Sequence, residues 1–304
     1  MTKTRTSITR VLLTLISLLL TVTPAFAQQN FDEVEITTTK LTENVYMLMG
    51  RGGNIGVSVG EDGVVLIDDQ YAPLTQKIKA SVSAISDQPI RFVVNTHWHG
   101  DHTGGNENLG ESGAVIVAHE NVRSRLSTEQ FMSFFDARTP PAPDAARPVV
   151  TFTKDVTLHL NTDDLYIFHV KNAHTDGDSL VHWRVQNVIH AGDLYFASQY
   201  PFIDLDSGGG IDGVIAGIER ALELANDSTQ IIPGHGNLSN KKDLTTYRDM
   251  LQTIRTRIQN LIKEGKSFEE ILSSKPTAEF DTKWGTGFIE PDVFVEFVYQ
   301  SLSN

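Results

Sequence analysis

Four side chains able to bind a metal ion fall close together in the run Thr-His-Trp-His-Gly-Asp-His at positions 96–102: His97, His99, Asp101 and His102. Neutral imidazole and carboxylate both suit Zn²⁺, at about 2.0–2.2 Å. His97 and His99 are two residues apart, so in an extended segment they point the same way and one ion can take both. Asp101 and His102 are adjacent, diverge from that pair, and are better placed to hold a second ion beside the first. A lone histidine on a loop is more often solvated or packed; it is the whole run that points to metal.

One loop cannot complete two ion sites, and three later stretches offer further ligands. His174 lies in Ala-His-Thr-Asp-Gly-Asp, Asp193 in His-Ala-Gly-Asp-Leu, and His235 in Ile-Ile-Pro-Gly-His-Gly. In each, a His or Asp sits where an apolar run enters a glycine-containing turn, and glycine lets the backbone turn sharply and approach closely. His119, His159, His169, His182 and His190 lack that context and read as structural.

The elements that must position these residues are strands. Residues 90–95, just before the histidine-rich run, form a short apolar, β-branched stretch that predicts a buried strand. Strands are also predicted at 44–49, 55–59, 64–67 and 114–118, then at 155–160, 165–170, 180–185, 188–191 and 229–232, with a hairpin turn at 161–164. Apolar residues at helical spacing predict helices at 74–86 and 213–225 and from 241 onward, the last starting at Pro291. Asp68, after the strand at 64–67, could orient a metal-bound histidine or cap a turn. Residues 120–150 read as an aromatic helix around 131–135 followed by a proline-rich loop, either a lid over the site or a packed insertion. Strands alternating with amphipathic helices give an α/β layered fold.

The first 27 residues read as a leader. Lys3, Arg5 and Arg10 precede an apolar run, and Pro-Ala-Phe-Ala at 24–27 offers a small-x-small cleavage site. Residues 1–27 are therefore expected to be a signal peptide cut after Ala27, leaving 28–304 as the mature domain, periplasmic or secreted, without a stable membrane span. Loss of the three basic leader residues takes the formal charge from −13 to −16. So acidic a chain repels polyanions and is not expected to bind nucleic acid. There is no cysteine, hence no thiol nucleophile, and every metal ligand must be nitrogen or oxygen.

The motif at 96–102 and the three later stretches, in this order, resemble the metallo-β-lactamase superfamily over roughly residues 44–237. The resemblance implies a four-layer αββα sandwich. It implies two Zn²⁺ ions, the first held by His97, His99 and His174, the second by Asp101, His102 and His235, with Asp193 bridging them. A hydroxide held between the ions would attack the carbonyl of an ester, thioester, lactone or amide, and Asp101 would orient the nucleophile or shuttle its proton. Within the family, His99 stands where iron oxidoreductases carry a carboxylate, which disfavours redox chemistry. One lactamase class has a zinc-binding Cys where Asp193 stands and a drug-binding Lys where Phe196 stands. Asp193 looks more like glyoxalase II and the lactonases, so the family name alone does not imply hydrolysis of β-lactams. The implied partner is a small-molecule substrate. The alternative is a metal-binding accessory protein of the same fold without significant turnover.

Overall fold

Apolar runs separated by tight turns build the first sheet. In the computed structural model, which describes residues 30–303, β1 (Thr37–Lys40), β2 (Val45–Met49), β3 (Ile55–Ser58) and β4 (Val64–Ile67) form an antiparallel meander. The predicted signal peptide lies outside the described residues. All four residues of β4 are buried, as a strand covered on both faces requires. After α1 (Thr75–Ser83), the sheet continues in parallel through β5 (Ile90–Val94) and, beyond the short helices α2 (Gly100–Thr103) and α3 (Asn106–Glu111), β6 (Val115–His119). Next come α4 (Glu120–Leu126) and a small hairpin of β7 (Gln130–Met132) and β8 (Ala137–Thr139), after which β9 (Val150–Phe152) closes the seven-stranded sheet.

The second sheet has six strands: β10 (Asp155–Leu160), β11 (Asp163–His169), β12 (Ser179–Trp183), β13 (Val188–His190), β14 (Gln230–Ile232) and β15 (Ser239–Asn240). Between β13 and β14 runs α5 (Ile211–Leu224); after β15 come α6 (Lys241–Lys263), α7 (Phe268–Ser273), α8 (Asp281–Trp284) and α9 (Pro291–Ser303). Asn240 caps α6, its side chain accepting from the backbone N–H groups of Lys242 and Asp243.

Burial gives the layering. Val45, Val65, Ile67 and Val94 of the first sheet meet Leu165, Ile167, Val181 and Trp183 of the second in one apolar cluster. The other face of the first sheet packs Leu48, Val57 and Leu66 against Ile78 and Val82 of α1 and Leu109 of α3. The other face of the second sheet packs Leu180, Ile189 and Ile231 against Val214 and Ile218 of α5, Leu251 and Ile254 of α6 and Phe294 of α9. This is the αββα sandwich.

Two local predictions need correction. Residues 131–135 are not helical: β7 pairs with β8 across a short 3-10 turn, and Asp136 adopts left-handed backbone at φ 46°. The Asp206 carboxylate accepts from both the backbone N–H and the hydroxyl of Ser133, at 2.6 and 2.5 Å, and holds the turn. The predicted turn at 161–164 is shorter. Leu160 pairs with Asp163, leaving only Asn161 and Thr162 in the turn, both with positive φ, as the right-handed twist of a two-residue hairpin favours. Among the described residues no helix is long and apolar enough to cross a membrane.

Candidate metal centre

Strand direction collects the site at one edge. β4, β5 and β6 run parallel, as do β13 and β14, and two antiparallel pairings make β11 parallel to β13. The C-terminal ends of β4, β5, β11, β13 and β14 thus carry Asp68, the histidine-rich run, His174, Asp193 and His235. The run bends through residues 96–98 and, after the extended His99, turns into α2, so Asp101 and His102 sit in a single helical turn.

All seven sequence-singled residues meet there, in two adjacent groups. His97, His99, His174 and Asp193 each offer one donor atom within 4.8 Å of the others; Asp101, His102 and His235 do the same. Asp193 touches both groups. Its Oδ2 lies 3.5 Å from His174 Nε2 and 3.3 Å from His235 Nε2, and its Oδ1 lies 3.1 Å from His102 Nε2. His235 Nε2 is also 3.3 Å from Asp101 Oδ2. Asp193 is 5% exposed, while Asp101 and His235 are each 22% exposed and mark the open side.

Four histidines are aimed by a hydrogen bond on the ring nitrogen facing away from the centre. His97 Nδ1 is 3.0 Å from Thr96 Oγ1, His102 Nδ1 is 2.7 Å from Asp68 Oδ2, His99 Nε2 is 2.9 Å from Asp204 Oδ2, and His174 Nδ1 is 2.8 Å from the Phe202 carbonyl. Each partner accepts a proton, because the Thr96 hydroxyl itself donates to Asp68 at 2.8 Å. The outer nitrogen therefore carries a hydrogen, which leaves the inner one to present its lone pair to a metal once any second proton, as on His102, has been displaced. Inner nitrogens then face each other, His174 Nε2 lying 2.9 Å from His99 Nδ1. His97 Nε2 is buried without a hydrogen-bond partner, a burden of about 1–3 kcal/mol for an unsatisfied polar atom. A shared cation relieves both, so this donor set, all nitrogen and oxygen, fits Zn²⁺.

The electrostatics agree. Burial drives the pKa of His97 well below the ordinary imidazole value and that of His174 to about 4, so both are neutral. Burial also opposes charge on His102 and His235, but the carboxylates around them prevail. Asp193, Asp101 and Asp68 hold His102 well above its ordinary value, and Asp193 and Asp101 raise His235 to about 9. In return, against their own burial, Asp101 falls to about 2 and Asp193 lies well below the carboxylate range. The second group therefore demands positive charge, supplied by protons when no cation is bound. A metal ion must displace those protons. Zinc binding near pH 7 is expected to release protons, and affinity should weaken about tenfold per pH unit for each proton displaced as pH falls below about 9. Calorimetry in buffers of unequal protonation enthalpy measures this; identical heats would refute it.

Close backbone contacts hold the walls. A Cβ on Gly53 would lie 2.1 Å from His102 Cε1, and one on Gly234 would lie 2.0 Å from Asp193 Oδ1. Gly53→Ala is expected to displace His102 and lower zinc affinity by at least about tenfold, with little change in secondary structure; unchanged metal content after dialysis would contradict it. Asn54 ties this loop to the His235 turn, donating to the carbonyls of Pro233 and Gly236 at 2.9 and 2.8 Å. Asp178 accepts from the backbone and hydroxyl of Thr175, both at 2.7 Å, and shapes the turn carrying His174.

Sequence reasoning missed Asp204 and Asn54, whose partners lie more than 100 residues away. The five histidines read as structural lie outside both groups. His190 bonds the Asn54 carbonyl and the Gly192 N–H, and His119 stacks on His169 with ring centroids 3.7 Å apart.

A family profile described as the metallo-beta-lactamase superfamily matches residues 48–235, more than half of the chain, and the chain belongs to that superfamily. Hydroxyacylglutathione hydrolase from Polaromonas sp. strain JS666 is 26% identical over 211 residues, 68% of this chain and 69% of its own. A beta-lactamase-like protein 2 homolog from Caenorhabditis elegans is 24% identical over 228 residues, 72% of this chain and 68% of its own. Among solved structures, a metallo-beta-lactamase from Pontibacter korlensis superposes with TM-score 0.57 at 20% identity, covering 72% of this chain and 99% of that one. A stereoselective inverting sec-alkylsulfatase from Pseudomonas sp. reaches TM-score 0.68 at 19% identity, covering 87% of this chain but only 50% of its own. At such identities the structural likeness establishes the fold.

Proposed function

We propose that this chain is an exported dinuclear zinc hydrolase acting on the carbonyl of a small ester, thioester, lactone or amide. The observation that carries the reading is Asp193, whose two oxygens lie within 3.5 Å of histidine nitrogens from both groups. In this reading His97, His99 and His174 hold one ion, Asp101, His102 and His235 the other, and Asp193 both. Bound there, two Zn²⁺ ions would acidify water and polarise a carbonyl oxygen.

The chain's own groups supply the rest. Thr96, Asp68, Asp204 and the Phe202 carbonyl keep the rings aimed, so little reorganisation is needed during reaction. Asp101, on the open side, stays ionised at neutral pH; its Oδ2 faces His235 and His102, where it would meet the ion, and from there the carboxylate would orient an incoming nucleophile and take its proton. Kinship to hydroxyacylglutathione hydrolase favours ester-like over β-lactam substrates. So does Phe196, which stacks on His235 with ring centroids 5.1 Å apart and brings no positive charge to the position where a drug carboxylate would need one.

The test is metal content together with hydrolysis of an ester, thioester, lactone and β-lactam panel. Two zinc ions per chain and turnover abolished by chelation are expected; turnover surviving complete metal removal would sink the reading. Export is proposed from the leader at 1–27. Intact mass of protein recovered outside the cytoplasm should match a chain starting at Gln28, and retention of the leader would count against it.

A further inference from the structure

We propose that Phe134, Phe135, Phe202 and Phe288 form a substrate subsite that selects compounds carrying a bulky apolar group near the scissile carbonyl. This deepens the hydrolase reading and rests on it. Phe134, Phe135 and Phe288 are 40, 42 and 62% exposed, although phenylalanine is ordinarily an interior residue. Phe288 comes from a distant part of the chain yet forms one surface with the adjacent pair: Phe134 and Phe135 meet edge to face at 4.9 Å, and Phe288 stacks on Phe135 at 6.0 Å.

The exposed rings are joined to the metal centre through Phe202, itself only 7% exposed. Phe202 lies under Phe134 and Phe135, with ring centroids 5.4 and 5.6 Å away, and also against His99 and His174 at 5.9 and 5.7 Å. The hairpin is also fastened to the same loop that aims the ligands. Within residues 204–207, Asp204 holds His99, Ser207 accepts from the Trp98 indole at 3.1 Å, and Asp206 holds Ser133. The aromatic surface is thus fixed in register with the centre.

The chemistry of the surface names its occupant. The hairpin's one basic residue, Arg138, lies over Phe131 and pairs with Glu129, so nothing in the hairpin is left to recruit an anionic group. A lipid surface would call for a basic face, which a chain of net charge −13 with this hairpin does not present. Three half-exposed rings offer roughly 300 Å², well below the ~800 Å² per partner of a stable dimer. An alkyl or aryl substituent of a small substrate fits both the area and the position.

The test uses the zinc-loaded mature protein with two ester series, p-nitrophenyl alkanoates from acetate to decanoate and alkyl acetates of matching length, together with calorimetric binding of decanoate and acetate ions. In one series kcat/KM is expected to rise about threefold per methylene before levelling off. Phe135→Ala/Phe288→Ala should leave short-chain turnover within about twofold and lower the long-chain advantage at least about tenfold, while Phe288→Leu retains most of it. Decanoate binding should weaken in the double variant in parallel. A flat dependence in both series, or an unchanged slope in the double variant, overturns the subsite. So does a wild-type dimer, or phosphatidylcholine vesicle binding, that is lost in the double variant. If decanoate binds through these rings but no ester is cleaved, the subsite stands and the hydrolase reading fails.

Discussion

Asp193→Ala is expected to remove more activity than any other single change in the molecule. Its carboxylate contacts both groups, and against burial it is the strongest charge holding His102 and His235 above their ordinary pKa. Without it, the first group keeps three imidazoles but no carboxylate of its own, and the second keeps Asp101, with Asp68 behind His102, to balance two histidines. Changes to groups that merely orient ligands already lower metal affinity or activity by about 10–100-fold, so loss of a shared ligand should exceed 10²-fold. Zinc content should fall below two per chain. In the metal-free variant, the His235 titration should move down from about 9, because burial then acts with less opposition. Elemental analysis and imidazole NMR titration measure both; two retained ions with turnover near wild type would refute the bridging role.

Asp101→Ala is expected to lower turnover by about 10²–10⁴-fold, the usual range for a positioned proton-transfer group, while leaving the fold intact. The reason for the intact fold is local. The bond that anchors this turn runs from Gly53 N–H to the Asp101 backbone carbonyl, at 3.0 Å, and survives the substitution. The side chain is on the open side, so truncation leaves no sealed cavity. Circular dichroism should be unchanged while kcat collapses. Full turnover in this variant would remove Asp101 from the chemistry, whatever became of the metal.

The sequence made the fold legible because its strands are apolar, β-branched and bounded by turn residues, and because its helices repeat at three and four. The runs at 64–67 and 90–95 could be placed with nothing but that pattern, and strands β4 and β5 lie there. The seven candidate ligands stood out for a related reason: each lies just past an apolar run, and strand ends converge in this kind of sandwich. What the sequence hid was pairing over distance. Phe131, Met132, Phe134 and Phe135 suit an amphipathic helix as well as a strand, and the choice is made by β8 and by Asp206, far along the chain. Asp204 carries no motif at all. It matters only because folding brings it to His99.

The two groups of ligands draw on both halves of the sandwich: the run at 96–102 leaves a strand of one sheet, while His174, Asp193 and His235 leave strands of the other. Ions seated among them would act as rivets through the two plates. With no cysteine in the chain, a covalent cross-link cannot take that place, so resistance to heat and to proteolysis should follow the supply of metal, gaining about 1.4 kcal/mol for each tenfold excess of free ion over its dissociation constant. Scarcity of zinc would then be felt as a shorter lifetime of the folded chain as well as a slower reaction.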